Sequence, residues 1–396
     1  MNAANVTALV ATCNRANFLR EALDSILGQT VPPGQVIVVN DGSTDGTTEV
    51  LRGYGERIEV MEQENGGKSH ALNRAMARVR GEHLWIFDDD DIALPTNLER
   101  HLSVLDAHPG AGFVYSTCRI IRSEPDGRVE YRGRMEMPDV PEGEIFPRML
   151  ESNFMQQQAM LVRTRCYREV GPFDVDLDRG QDYEMNLRLA RRFPGKHLDA
   201  ESFLFRHHDG PRGRPSTLFS SKDRRRRWVT GNREILRNLC PGVGLAEYLP
   251  RGLTGDPLDV LLRRRALLQR ACIMARCGLW EEALVDFREA LVDTLPGAPL
   301  GPVEQGLCRR ALSKYIEYDV AIEGLLDNPS VARRFERLID ESRNADARRI
   351  FGSQLARYAW RRLRRRNPVR AVTALALGRR IAGLRSWVPE PLPARP

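Results

Sequence analysis

The sequence predicts an α/β protein: a mostly parallel sheet with flanking helices, followed by an all-α domain. Three observations carry this. Four short apolar runs alternate with helical stretches over the first 110 residues, as a parallel sheet requires. Pro, Gly and Arg crowd into residues 210–215, which reads as a linker. Beyond it the apolar spacing is helical and the charge changes sign. Residues 1–220 hold 26 Lys/Arg against 33 Asp/Glu, and residues 221–396 hold 34 against 20. The expected division is 1–213, a basic helical domain over 214–388, and a proline-rich disordered tail over 389–396.

The elements follow in order. Residues 6–11 form a buried strand. A helix with Leu19, Leu23, Ile26 and Leu27 on one face comes next, with Asn14 or Asn17 as its N-cap. Pro32, Pro33 and Gly34 break the chain before a second strand at 36–39. The polar turn from Asp41 to Gly46 leads into a helix. A third strand at 58–61 precedes a helix at 69–80, and a fourth at 83–87 runs into Asp88, Asp89, Asp90 and Asp91. In the second half, 261–277 and 280–291 read as a helical hairpin turning at Gly278, resembling one tetratricopeptide unit without a second copy. A later helix pair, about 351–366 and 368–385, divides at Asn367-Pro368.

The composition excludes several classes. Hydrophobic residues are 42% and charged residues 29%, so wholesale disorder is not expected. No apolar run reaches the ~18 residues of a spanning helix, and the first residues lack the basic region of a signal peptide. Seven scattered cysteines without framework or zinc spacing indicate reduced thiols in the cytoplasm. Gly67-Lys68-Ser69 is not a P-loop, because Glu62 stands where its first glycine belongs. No G-x-G-x-x-G follows the first strand.

Every polar cluster follows a strand: Thr12 to Arg15, Asn40 to Ser43, Glu64 to Lys68, and Asp88 to Asp91. In parallel sheets ligands bind beyond these strand ends. Each cluster alone is also an ordinary turn or cap; four on one rim point to a site. Four adjacent acids repel one another unless a cation neutralises them. Hard divalent cations such as Mg²⁺ or Mn²⁺ take such oxygens and bridge phosphates. In strand geometry Asp88 and Asp90 point to the same side.

Several segments occur in one order: Val10-Ala-Thr-Cys-Asn-Arg15, Val36-Ile-Val-Val-Asn-Asp-Gly-Ser-Thr-Asp-Gly-Thr47, Asn65-Gly-Gly-Lys-Ser-His-Ala-Leu-Asn73, Phe87-Asp-Asp-Asp-Asp-Ile92, Val170-Gly-Pro-Phe-Asp174, Gln181-Asp-Tyr-Glu-Met185 and Phe205-Arg-His-His-Asp-Gly210. With this set the first 210 residues or so resemble a family 2 glycosyltransferase with the GT-A fold. The resemblance implies a nucleotide-diphospho-sugar donor and inversion at the anomeric carbon. It implies that Thr12, Asn14 and Arg15 line the nucleotide pocket, that Asp41 reads the base and that Lys68 lies beside it. Asp88-x-Asp90 matches the metal motif, with Asp90 as direct ligand and Asp88 contacting ribose or metal. Asp182 matches the catalytic base; family members usually carry Glu-Asp where this chain has Gln181-Asp182. His208, or its neighbour His207, matches a further metal or phosphate contact. The implied acceptor is a glycan or lipid-linked glycan in cell-surface or polysaccharide synthesis.

The basic clusters are Arg224 to Arg227, Arg263 to Arg265, and Arg361, Arg362 and Arg364 to Arg366. They read as solvated helix faces or as a surface for peripheral association with the inner membrane face. Nucleic acid fits less well, since few aromatics interleave with the arginines. Two other functional readings stay open at this point: a metal-dependent phosphohydrolase using the acidic cluster, and a non-catalytic scaffold with a degenerate transferase domain.

Overall fold

A computed structural model describes residues 5–123, 129–141, 143–177, 179–207, 224–253, 259–315, 318–365 and 367–383. The linker at 210–215, His208 and the tail at 389–396 lie outside the described residues. The chain divides into two units: Met1–Pro141 with Asn153–Gly231, and Glu142–Ser152 with Asn232–Pro396. Unlike the simple split expected near 213, a short segment from within the first half belongs to the second unit.

Among the described residues the first unit is built on nine strands: β1 (Val6–Thr12), β2 (Gln35–Asp41), β3 (Glu59–Gln63), β4 (His83–Asp88), β5 (Ile92–Ala93), β6 (Phe113–Ser123), β7 (Val129–Arg134), β8 (Met160–Arg163) and β9 (Gly195–His207). Their order is β3-β2-β1-β4-β8-β6-β9-β5, with β7 on β6. The β3-β2-β1-β4 half is parallel throughout. β8 runs antiparallel between β4 and β6, whereas β6 and β9 are parallel. Central strands are covered on both faces, so β1 and β2 read as continuous apolar runs: Leu9, Val10, Ile37 and Val38 are fully buried. The parallel half turns the C-terminal ends of β1, β2, β3 and β4 toward one rim.

The first helix, Ala16–Leu27, buries Leu19, Ala22, Leu23 and Ile26. Neither expected asparagine caps it. Arg15 holds the N-cap position without a side-chain bond, and Asp45 accepts from the Ala16 N–H (3.2 Å). The Asn14 side chain is spent elsewhere, accepting from the Thr44 N–H at 2.7 Å.

In the second unit the helices are Ile145–Glu151, Val260–Arg276, Trp280–Arg288, Pro302–Ala311, Val320–Asp327, Pro329–Ser342, Ala345–Arg364 and Pro368–Ala382, with Arg224–Leu239 straddling its boundary. The helix from Trp280 continues into a π-helical turn, Glu289–Thr294. Two helix starts use Asn-Pro. Asn328 and Asn367 accept from backbone N–H groups of the first turn, and the proline takes a position whose N–H needs no partner. Phe287, Phe335 and Phe351 form the aromatic centre, with ring centroids 5.0–5.9 Å apart. Among the described residues no helix is long and apolar enough to cross a membrane.

Much of the excess basic charge is paired within this unit. Arg263 meets Glu289, Arg264 makes a buried fork on Glu304 (2.6 and 2.7 Å), and Arg265 meets Glu144 (3.2 Å). Arg361 meets Asp319 at 2.6 Å, and Arg362 meets Glu323. Glu151, only 3% exposed, accepts from Arg310 (2.8 and 3.0 Å) and Gln269 (2.8 Å). The clusters at 263–265 and 361–362 are therefore ion-pair partners, not an open basic face.

Candidate active site

β4 delivers Asp88 to the rim, and the chain then turns through Asp89, Asp90 and Asp91 into β5. Long-range contacts hold this turn. Lys68 Nζ contacts Asp88 Oδ1. Gln158 Nε2 donates to Asp88 Oδ2 (2.6 Å) and Asp91 Oδ2 (3.0 Å), while the Gln158 carbonyl accepts from the Trp85 indole at 2.8 Å. Asp91 is buried and its other oxygen accepts from the Arg206 N–H (2.8 Å). Arg206 is buried too. Its guanidinium donates to the Asp90 carbonyl (2.9 Å) and to Glu21 (2.6 Å), contacts Ser123, and lies over the Phe18 ring.

Asp88, Asp90 and Asp91 can each bring one carboxylate oxygen within 4.8 Å of the others. Asp89 shows the electrostatic cost of the cluster. Burial and the Asp90 charge push its carboxyl up to about 7, with a smaller push from Asp88, against the opposing pull of Arg15 and Thr12. Arg15 Nε lies 3.9 Å from Asp89.

The ends of β1 and β2 are stitched together by Asn14. It adopts φ +55°, its N–H donates to Ser43 Oγ (3.0 Å), and its side chain holds Thr44. Asp41 is 3% exposed and fully engaged. Its oxygens accept from the backbone N–H groups of Gly66 and Gly67 (both 2.8 Å), Gln63 Nε2 (2.7 Å) and Asn65 Nδ2 (3.2 Å). In this structure Asp41 anchors the loop that presents Lys68. Gly42 has φ +74° and faces that loop so closely that a Cβ would lie 2.6 Å from the Asn65 nitrogen.

Asp182 stands in the first turn of the helix Gln181–Arg192. Burial raises its carboxyl above the ordinary range, opposed first by the positive charge of Lys68, and Asp88 adds a smaller upward push. Lys68 likewise responds to both Asp88 and Asp182. The preceding loop is tied at two points. Asn73 and Phe173 exchange a pair of bonds, Nδ2 to carbonyl and N–H to Oδ1, both 2.8 Å. Arg188 donates to the carbonyls of Val170 (2.6 Å) and Pro172 (2.7 Å) while forked on Glu184.

Thus Asp88, Asp90, Lys68 and Asp182 share one charged neighbourhood, with Thr12 and Arg15 reaching it through Asp89. Asn14 and Asp41 act here by shaping loops. His208 lies outside the described residues; the His207 ring packs edge-on against Phe205, 5.2 Å between centroids. Gln158, Asn73, Glu21 and the buried Arg206 are the residues that motif reading did not single out. Arg206 and Asn73 had a signal, within the Phe205-Arg-His-His segment and the segment from Asn65 to Asn73.

A sheet with an acidic turn on the rim of its parallel strands has the GT-A architecture. Residues 7–168 match the family described as Glycosyl transferase family 2. An uncharacterised glycosyltransferase of Rickettsia typhi is 29% identical over 191 residues, covering 47% of this chain and 58% of that protein. Chondroitin synthase of Pasteurella multocida is 29% identical over 197 residues, covering 49% of this chain and 20% of that protein. The chain thus matches less than two thirds of the length of these curated relatives. Among solved structures, S. aureus TarS 1-349 in complex with UDP-GlcNAc has a TM-score of 0.49 at 17% identity, covering 94% of this chain and 90% of that one. The mannosyltransferase PcManGT from Pyrobaculum calidifontis, in complex with GDP-Man and Mn²⁺, has a TM-score of 0.42 at 17% identity, covering 94% and 86%.

Proposed function

We propose that the first unit transfers a sugar, with inversion, from a nucleotide-diphospho-sugar to a hydroxyl of a glycan or lipid-linked acceptor in polysaccharide or cell-surface glycan synthesis. The observation that carries this reading is the common neighbourhood of Asp182, Lys68 and the Asp88–Asp91 turn. A general base and a cation-binding turn must flank the same anomeric carbon for such a reaction.

The turn suits Mg²⁺ or Mn²⁺. Its donors are all hard oxygens, they converge within 4.8 Å, and beside them the Asp89 carboxyl is raised first by burial and then by the Asp90 charge. Asp88 and Asp90 would hold the ion, with His208 as a third candidate ligand from outside the described residues. When bound, such a cation offsets the charge of a departing diphosphate.

The chain's own groups do the rest. Lys68 and Arg15 bring positive charge to the donor side. Asp182 accepts the proton of the attacking hydroxyl, and its raised affinity for a proton makes the ionised carboxylate a stronger base. The hydroxyl oxygen then bonds to the anomeric carbon as the bond to the nucleoside diphosphate breaks. Cys13 and six buried cysteines, all free thiols, support a reducing, cytoplasmic setting. Peripheral work at the inner membrane face is part of this proposal.

The test begins with calorimetry and thermal shift of the whole chain against uridine- and guanosine-diphosphate sugars, with and without Mn²⁺. Asp90→Ala should lose the Mn²⁺-dependent part of donor binding. Asp182→Asn should keep donor binding and lose transfer, and NMR of the product should show inverted configuration. Full transfer by Asp182→Asn overturns the assignment of the base. Phosphate release from simple monoesters without sugar-nucleotide binding overturns the whole reading.

A further inference from the structure

The last two described helices, Ala345–Arg364 and Pro368–Ala382, form an antiparallel hairpin. They close on each other at two glycines, where Gly352 faces Ala382 and Gly378 faces Leu355. The tip of this hairpin has two different flanks. On one, Arg361, Arg362 and Arg370 reach Asp319, Glu323 and Asp327 and bind the tip to its own unit. On the other, Trp360, Leu363 and Arg364 share one face of the first helix, and Val369 and Val372 share one face of the second. These apolar side chains stand in solvent: Val369 is 75% exposed, Val372 63%, Leu363 49% and Trp360 40%. Single exposed apolar residues need no explanation, but four at one tip do.

The charge around them is of one sign. From position 347 to 389 the sequence holds twelve arginines and no Asp or Glu. Six of them find acids elsewhere in the unit. Arg357, Arg364, Arg365 and Arg379 make no ion pair among the described residues. Arg364 lies over the Trp360 ring, 3.4 Å from its centroid, so an aromatic plane and a guanidinium are presented together.

We propose that this outer flank is a seat for an anionic lipid surface. The match is one of chemistry on both counts. Valine, leucine and indole groups gain by leaving water at the headgroup boundary, and the unpaired guanidiniums meet lipid phosphates there. A neutral surface would satisfy only the apolar half, and a soluble acidic ligand only the basic half. The proposal does not depend on the chemistry of the first unit.

The experiment is sedimentation of the whole chain with phosphatidylcholine vesicles, and with vesicles that also contain phosphatidylglycerol, in 0.1 and 0.5 M NaCl. Binding is expected to anionic vesicles only and to weaken strongly at high salt. Arg364→Gln with Arg365→Gln should lower the partition roughly 30-fold, about fivefold for each arginine. Val369→Asp with Val372→Asp should abolish it. Circular dichroism and the thermal midpoint should be unchanged in both, since the replaced side chains are exposed. Tryptophan emission should shift to the blue on binding, and the shift should be lost in Trp360→Phe. The proposal is overturned by failure to bind anionic vesicles, by equal binding to neutral ones, or by binding that ignores these substitutions. Self-association abolished by Val369→Asp with Val372→Asp, without lipid binding, would assign the flank to a second copy and overturn it equally.

Discussion

Replacing Asp41 by alanine separates two roles that the same carboxylate is asked to fill. The family resemblance gives it to the nucleotide base; the geometry gives it to the loop from Gln63 to Gly67. The loop role has a calculable cost. Alanine leaves three donors without their acceptor: Gly67 N–H, Gly66 N–H and Gln63 Nε2. Gly67 is buried and bears the full penalty, Gly66 and Gln63 are half-buried, and Asn65 Nδ2 keeps the Asp41 backbone carbonyl at 2.8 Å. At 1–3 kcal/mol for a buried orphan and less for the others, the total is about 4 kcal/mol. For a unit of this size that is a fall of roughly 10 °C in the thermal midpoint. Asp41→Asn keeps one acceptor oxygen and should lose about half as much. Differential scanning calorimetry of the ligand-free protein gives the answer. An unchanged midpoint in Asp41→Ala, together with lost donor binding, would refute the anchoring argument and return the residue to base recognition.

Further outcomes follow from other contacts. Asn73→Ala breaks both bonds to Phe173 and should cost about 2 kcal/mol; it should also lower kcat more than it raises donor KM, because it loosens the segment that carries Asp182. Gly42→Ala places a Cβ 2.6 Å from the Asn65 nitrogen at φ +74°. It should destabilise by more than the ~1–2 kcal/mol that left-handed backbone alone costs a non-glycine residue, read from urea midpoints. Glu151 gives an acid-limb prediction. Its carboxyl is held below its ordinary 4.5 by Arg310 first, then Arg148 and Arg276, against the opposing effect of burial. The stability it contributes is therefore complete above about pH 4.5 and is lost as pH falls through the lower folded value. Glu151→Gln should be less stable than the parent at pH 7, and the gap should narrow steadily below pH 4.5 in denaturant titrations.

What was legible in the sequence was what is written locally. The apolar runs at 6–11, 36–39 and 83–87 marked β1, β2 and β4, because central parallel strands carry no polar face to obscure them. The run from Asp88 to Asp91 announced itself by charge density alone. The supports of that turn and of the loop preceding Asp182 were hidden because each arrives from far along the chain. Gln158 lies 70 residues beyond Asp88, Arg206 lies 115 beyond Asp91, and Phe173 lies 100 beyond Asn73. No local pattern distinguishes such a glutamine or asparagine from a solvated one. The cluster from Arg263 to Arg265 misled for the same reason. Arg263, Arg264 and Arg265 look like a charged face in sequence, yet their acids stand 26, 40 and 121 positions away. The local sequence offers Asn14 as a helix cap; the neighbouring loop from Ser43 to Thr44 claims it instead.

The short helix Ile145–Glu151 carries a consequence for synthesis. Phe146, Met149 and Leu150 end up almost wholly covered, and Glu151 closes on Arg310, 159 positions later. At about 5–20 residues per second a ribosome needs roughly 10–30 s to supply that arginine. The helix's apolar side chains stand uncovered on the nascent chain until the turn Leu245–Tyr248 and the helix Val260–Arg276 that pack on it are made, and the Glu151 carboxylate waits longer, for Arg310. Translation speed through the second half thus sets how long this segment is open to chaperone capture. A message truncated before Arg310 would leave the Glu151 carboxylate without that guanidinium.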